Sequence, residues 1–194
     1  MYNSVFKMKF FFIASIHGKQ QFEQNYKVIE QEVKRLGHDF DGSTVFDYSP
    51  ESMKALSEDE VLKYHKSVMD KMKQADAVLI EASHNSTSVG FNLADAMQLG
   101  KSVIIFYSGT QEPHLFRTLE KVNERLQVIR YANVDQLLDE IPSALKFASD
   151  SQNVRFNFFI SPTQSQYLDW VAKTQKISRS VYLRRLISSE MNQE

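Results

Sequence analysis

Apolar positions in this chain fall into two kinds of block. Phe10–Ile16, Ala77–Ile80, Val103–Tyr107 and Val128–Tyr131 are short, nearly unbroken apolar runs, the pattern of strands buried on both faces. Between them apolar residues recur every three or four positions. Phe22, Tyr26, Ile29, Val33 and Leu36 mark a helix over Phe22–Leu36, closed by Gly37. Further helices are expected over Glu60–Gln74, Asn92–Leu99 (stopped by Gly100), Leu115–Arg125 and Val134–Phe147. Thr44–Phe46 reads as a short second strand, and Tyr48–Glu58, with Pro50, as loop or broken helix. The alternation predicts an α/β fold, a three-layer sandwich around a parallel sheet. The most informative stretch is Ala75–Tyr107. It reads as strand, polar loop Ser83–Gly90, helix and strand, a βαβ unit. Ligands of such sheets lie beyond the carboxyl ends of the strands, where this loop falls.

The pattern changes after residue 148. Residues 149–153 read as a linker between a body, 1–148, and a tail module, 154–194. In the tail Phe156, Phe158 and Ile160 alternate with Arg155, Asn157 and Phe159, which is strand periodicity. Ser161-Pro162 then opens one helix as N-cap and first helical residue, and Ser178 caps another. A lone strand and two short helices cannot bury their apolar side. Pairing two copies through the strand would do so, which predicts a homodimer.

Composition refines this picture. The 194 residues carry a net charge of −1, which argues against a general nucleic-acid coat and against an acidic disordered chain. Residues 152–194 hold six Lys/Arg against three Asp/Glu, a local +3, leaving −4 on the rest. There is no cysteine, which removes disulfide, thiolate and cysteine–metal chemistry and fits a cytoplasmic setting. No apolar run reaches membrane-spanning length, so no membrane partner is expected. His17, His65 and His84 have no metal-ligand spacing, and neither a metal nor a cofactor is expected.

Two donor-rich loops are expected to meet at the strand ends. Ser15, Ile16, His17, Gly18 and Lys19 form one, and Ser86, Ser88 and Gly90 belong to the other, with Asn92 just beyond and Glu81 at the strand end. Backbone N–H groups at helix starts make ready anion sites. Ser/Thr/Gly turns also occur with no ligand, so the loops alone leave both readings open.

The segments FFIASIHGK, ADAVLIEAS and STSVGFNLADAMQLGKSVIIFY resemble the nucleoside 2-deoxyribosyltransferase superfamily over about residues 10–131. The branch most similar hydrolyses deoxynucleoside 5′-monophosphates. The resemblance implies a nucleotide or nucleoside ligand and N-glycosidic chemistry through a glutamate nucleophile, as in retaining glycosidases. It also implies dimers or larger assemblies in which a neighbour completes each site. At the positions that matter the chain departs from the family. Asn92 stands where the nucleophile is expected, Phe11 where a tyrosine is, and Val68 where an aspartate proton donor is. The expectation is a domain that kept its pocket and lost the reaction. Glu81 and Asp95 are the candidate substitutes.

The tail resembles the ribbon-helix-helix DNA-binding family over about residues 154–191. That resemblance implies base contacts from Arg155, Asn157 and Phe159, and a phosphate anchor at Ser178, Arg179 and Ser180. Phe159 departs from the polar residue common there. Three functions follow as expectations. The first is a ligand-binding regulator that binds duplex DNA as a homodimer or homotetramer. The second is an active N-glycosidase acting as a nucleotide-depleting toxin or antiviral effector. The third is an oligomeric scaffold with a vestigial pocket.

Overall fold

The computed structural model describes residues 7–109, 114–151 and 158–191, which fall into two compact units, a body and a tail. The body holds strands β1 (Lys9–Ala14), β2 (Asp39–Asp41), β3 (Ala77–Glu81), β4 (Ser102–Ser108) and β5 (Leu126–Tyr131). Its helices are α1 (Lys19–Arg35), α2 (Ser43–Phe46), α3 (Pro50–Lys54), α4 (Glu58–Gln74), α5 (Thr87–Gln98), α6 (His114–Glu120) and α7 (Val134–Asp150). All strand pairs are parallel, in the order β2-β1-β3-β4-β5. The chain moves outward from β1 to β2, then returns to the other side of β1 to lay down β3. The order reverses between β1 and β3, and a crevice for ligands opens at the carboxyl ends there.

The pleat divides the core in two. Phe10, Phe12, Ala14, Ala77, Leu79, Ile104 and Phe106 face α1 and α7, where Tyr26, Ile29, Val33, Leu137 and Ile141 meet them. Phe11, Ile13, Val78, Ile80, Val103 and Ile105 face α4 and α5, against Val68, Met72, Val89, Leu93 and Ala96. Register fixes this division: Phe11 pairs with Val78, and Val78 with Val103. A slip of one residue would exchange the faces, so burial on both sides specifies it strongly.

Helix ends follow local chemistry. Ser57 accepts from the Glu60 amide while the Glu60 carboxylate accepts from the Ser57 amide, a capping box that starts α4. Gly37 follows α1 and Gly100 follows α5 with φ of 88° and 67°, left-handed positions that end both helices as the sequence predicts.

Several boundaries differ from the sequence reading. Thr44–Phe46 is helix α2, and the second strand is the three-residue edge Asp39–Asp41. A three-residue apolar run carries no period that separates helix from strand. α5 begins at Thr87, so Ser88 and Gly90 lie in its first turn and not in a loop. α6 stops at Glu120, short of Arg125. α7 runs on to Asp150, into the expected linker.

In the tail, α8 (Pro162–Gln175) and α9 (Arg179–Met191) pack on each other. Ser161 and Gln164 form a capping box, with Pro162 at the first helical position. α8 is capped by Lys176, whose φ of 53° makes the turn toward Ser178. Phe158–Ile160 have no regular structure in this single chain, and Arg155 and Asn157 lie outside the described residues. No described helix is long and apolar enough to cross a membrane.

Candidate functional site

A cavity of about 140 Å³ opens at the β1/β3 switch point on the α4/α5 face. β1 and its following turn supply Ser15, Ile16 and His17, and α5 supplies Ser88 and Asn92, with Ser86 at its cap. α2 adds Thr44 and Val45, and α4 adds Tyr64, His65 and Val68. The cavity has hydroxyls, an amide and two imidazoles on apolar walls. Among the described residues that line it there is no carboxylate.

The turn after β1 is rigid. The Gly18 amide donates to the Ser15 carbonyl at 3.0 Å and lies 3.3 Å from its Oγ, and the Tyr26 hydroxyl donates to the same carbonyl at 3.1 Å. A Cβ on Gly18 would come within 2.6 Å of the Tyr26 hydroxyl and 2.7 Å of His84 Cβ. Only glycine lets the two strand-end loops approach this closely.

α5 presents an open N-terminus. Ser86 is extended but makes no side-chain cap, and the first turn has no acidic residue. Its free amides and the helix dipole favour a negative group at this point. Tyr64 closes one wall by donating to the Thr44 carbonyl at 3.0 Å. Burial, then the neighbouring Tyr48, pushes its hydroxyl up to about 12.

Other expected site residues lie elsewhere. Lys19 turns from the cavity and donates to the carbonyls of Val45 at 3.2 Å, Phe46 at 3.1 Å and Tyr48 at 2.8 Å. Gly18, Gly90 and Asp95 do not line the cavity. Phe11 is fully buried in the core of that face, beside Val68.

Glu81 points to the opposite face. It follows Leu79 by two residues, so the pleat turns it toward α1 and α7. One carboxylate oxygen accepts from the Tyr131 hydroxyl at 2.8 Å, the Ser83 amide at 3.3 Å and the Ser83 hydroxyl. Asn25 donates to Tyr131 at 2.6 Å, and the Ser108 amide donates to Ser83 at 2.7 Å. The second carboxylate oxygen has no partner. Burial pushes the Glu81 carboxyl above its usual range, and the bonds from Ser83 and Tyr131 oppose the shift. Tyr131 and Tyr26 are likewise pushed up, first by burial and then by the Glu81 charge.

Sequence reasoning missed Thr44, Val45, Met53, Tyr64 and His65 as cavity residues. One signal was present. Tyr64 and His65 lie four and three residues before Val68, so they share its helix face.

No family model matches this sequence, and no curated protein does. Solved structures do resemble the chain. The CMP N-glycosidase of Clostridium botulinum superposes with a TM-score of 0.52 at 17% identity, over 70% of this chain and 98% of that one. The body has this enzyme's fold. The 2-deoxyribosyltransferase of the psychrotolerant bacterium Bacillus psychrosaccharolyticus gives 0.47 at 18% identity, over 68% of this chain and 90% of that one. A de novo designed Rossmann 2x3 protein gives 0.46 at 10% identity, over 77% and 98%.

In the tail, Arg179 Nε donates to Asp169 at 2.7 Å, and its Nη2 reaches the same oxygen. Ser178 accepts from the Val181 amide at 3.3 Å, as a cap does, and its hydroxyl lies 3.0 Å from that of Ser180. Phe159 is fully exposed. Ser178 thus caps α9 as expected, and Arg179 is paired with Asp169.

Proposed function

We propose that this protein is a nucleotide- or nucleoside-binding regulator whose body does not cleave N-glycosidic bonds. The observation that carries this reading is the composition of the switch-point cavity. Ser15, Ser86, Ser88, Asn92, His17 and His65 offer hydrogen bonds to a sugar or phosphate, and no described lining residue offers a carboxylate. Covalent glycosidic chemistry needs an anion beside the developing oxocarbenium ion. Asn92 and Val68 occupy the cavity positions where the resembling family carries its acids, and neither supplies one. Glu81 serves the buried network on the other face.

The tail is proposed to pair two copies and dock on duplex DNA, giving a homodimer or, with pairing through the body, a homotetramer. Exposed Phe159, Tyr167, Trp170, Leu186 and Ile187 support a partner for this unit. Arg155, Asn157 and Phe159 would face bases, and Ser178, Arg179 and Ser180 a phosphate.

Calorimetry against nucleosides and their 5′-monophosphates, with chromatography for released base, tests the body. Binding without release is expected. Turnover that disappears in Glu81→Gln or Asp95→Asn would replace this reading with an active N-glycosidase. No binding into the millimolar range would leave a scaffold. For the tail, gel shifts at rising salt should show affinity falling steeply. Dimers that ignore DNA even at low salt would leave the tail as an assembly element.

A further inference from the structure

The two edges of the sheet differ. β2 is three residues long and carries two aspartates, so shortness and charge blunt it. β5 is six residues long, and among the described residues it pairs only with β4. Register fixes which of its groups face away. The Arg125 carbonyl accepts from the Val103 amide at 2.8 Å, so Arg125 turns its backbone toward β4. Backbone groups alternate along a strand, so Leu126, Val128 and Arg130 turn their amides and carbonyls outward. Such a row is a template for another strand.

Side chains of α6 occupy the centre of that row. Glu120 Oε1 accepts from the Val128 amide at 2.7 Å, and Arg117 Nη1 donates to the Val128 carbonyl at 2.7 Å. The two side chains also pair with each other, at 3.0 Å. The Leu126 amide is spent on the Asn123 carbonyl at 3.1 Å. Val128 therefore meets one acceptor and one donor, as it would beside a neighbouring strand. We propose that Arg117 and Glu120 are an edge guard, which keeps β5 from adding the β5 of a second copy of this chain.

The placement of the pair supports this. The Arg117 guanidinium lies 5.9 Å from the centre of the buried Tyr107 ring, a cation–π distance that holds it against the edge. The Arg117 and Glu120 side chains are 32% and 26% accessible, whereas those of the surface pair Lys73–Asp70 are 56% and 51% accessible. A second copy is the fitting occupant, because β5 against β5 matches six residues with six about a two-fold axis. The guard does not depend on the tail. If the tail pairs copies as proposed, an open β5 would give each chain a second interface and let assemblies grow past a dimer.

Sedimentation velocity of the full chain at rising concentration, with hydrogen exchange read at the Val128 amide, tests the guard. Arg117→Ala/Glu120→Ala should form a heavier state than the wild type does at the same concentration. In dilute solution its Val128 amide should exchange about tenfold faster than in the wild type, and association should restore the protection. Glu120→Gln keeps an oxygen for the Val128 amide and should behave as the wild type. Glu120→Ala alone uncovers the amide while Arg117 stays, and it gives the same test where the double variant fails to fold. Association that leaves the Val128 amide fast would put the contact on another surface and overturn the guard. A folded variant that keeps the wild-type assembly at every concentration, or the wild-type exchange rate when dilute, would overturn it too. So would Glu120→Gln assembling like the double variant.

Discussion

On the α1/α7 face of the sheet, the carboxyl end of β3 meets a buried network in which one Glu81 oxygen, Ser83, Tyr131 and Asn25 bond to one another. On the α4/α5 face, a few ångströms of backbone away, Ser86, Ser88, Asn92, His17 and His65 surround open space. Both clusters are polar and both lie where α/β proteins bind ligands. The second lines a cavity. A charged residue at a strand end is therefore not a site by position alone. The pleat decides whether it faces a ligand or the core.

The largest effect expected from this contrast is on stability. Glu81→Ala removes the acceptor for Tyr131 and Ser83 and leaves buried hydroxyls unpaired, which should cost about 3 kcal/mol in urea unfolding. Nucleotide affinity in the folded variant should change less than twofold. A variant that stays stable but loses its ligand would break the division between the faces.

The pH dependence of that cluster is the next largest. Its raised carboxyl holds a proton in the folded state that the unfolded chain gives up, so its contribution is greatest below the ordinary value of 4.5. The contribution should decline as pH rises through the folded value, by at most about 1.4 kcal/mol per pH unit. Wild type minus Glu81→Gln, measured by urea unfolding between pH 4 and 8, should fall with pH. A flat or rising difference would mean that Glu81 stays ionised in the fold.

On the open face, Asn92→Leu should weaken nucleotide binding about tenfold, roughly 1.4 kcal/mol. Stability should move by less than about 0.5 kcal/mol, because Asn92 lines a cavity and not the core. A large loss of stability instead would make Asn92 structural, like Glu81.

The smallest effect lies in the tail. The Arg179–Asp169 pair is exposed, with side chains 49% and 53% accessible, so Asp169→Ala should change stability by less than about 1 kcal/mol. It should also free the arginine and strengthen binding to duplex DNA severalfold at low salt. Unchanged binding in a gel shift would argue against a phosphate contact by Arg179.

The sheet was legible because buried parallel strands write continuous apolar runs, as at Phe10–Ala14, Ala77–Ile80 and Val103–Tyr107. Edge strand Asp39–Asp41 was not, since a half-exposed three-residue strand with two aspartates has no such run. The site was partly legible. Ser15, His17, Ser86, Ser88 and Asn92 come together as the motifs suggest. Glu81 was grouped with them because it stands at a strand end, although its two-residue offset from Leu79 already set its face. Lys19 was grouped with the ligand loop because nothing local announces that carbonyls at and beyond the end of α2 come within its reach. The tail helices were legible through Ser161, Pro162 and Ser178, whereas the Asp169–Arg179 pair joins two helices and leaves no periodic trace.

Lys19 also helps to hold one wall of the cavity in place. Its ammonium ties α1 to three carbonyls at and just beyond the end of α2, the short helix that carries Thr44 and Val45 into the cavity wall. A four-residue helix has little stability of its own. Lys19 shares the task of holding it with Tyr64, which donates to the Thr44 carbonyl at 3.0 Å, and Lys71, which donates to the Ser43 hydroxyl at 2.8 Å. Amide hydrogen exchange at residues 43–48 should follow Lys19, speeding up in Lys19→Met while the central strands keep their protection.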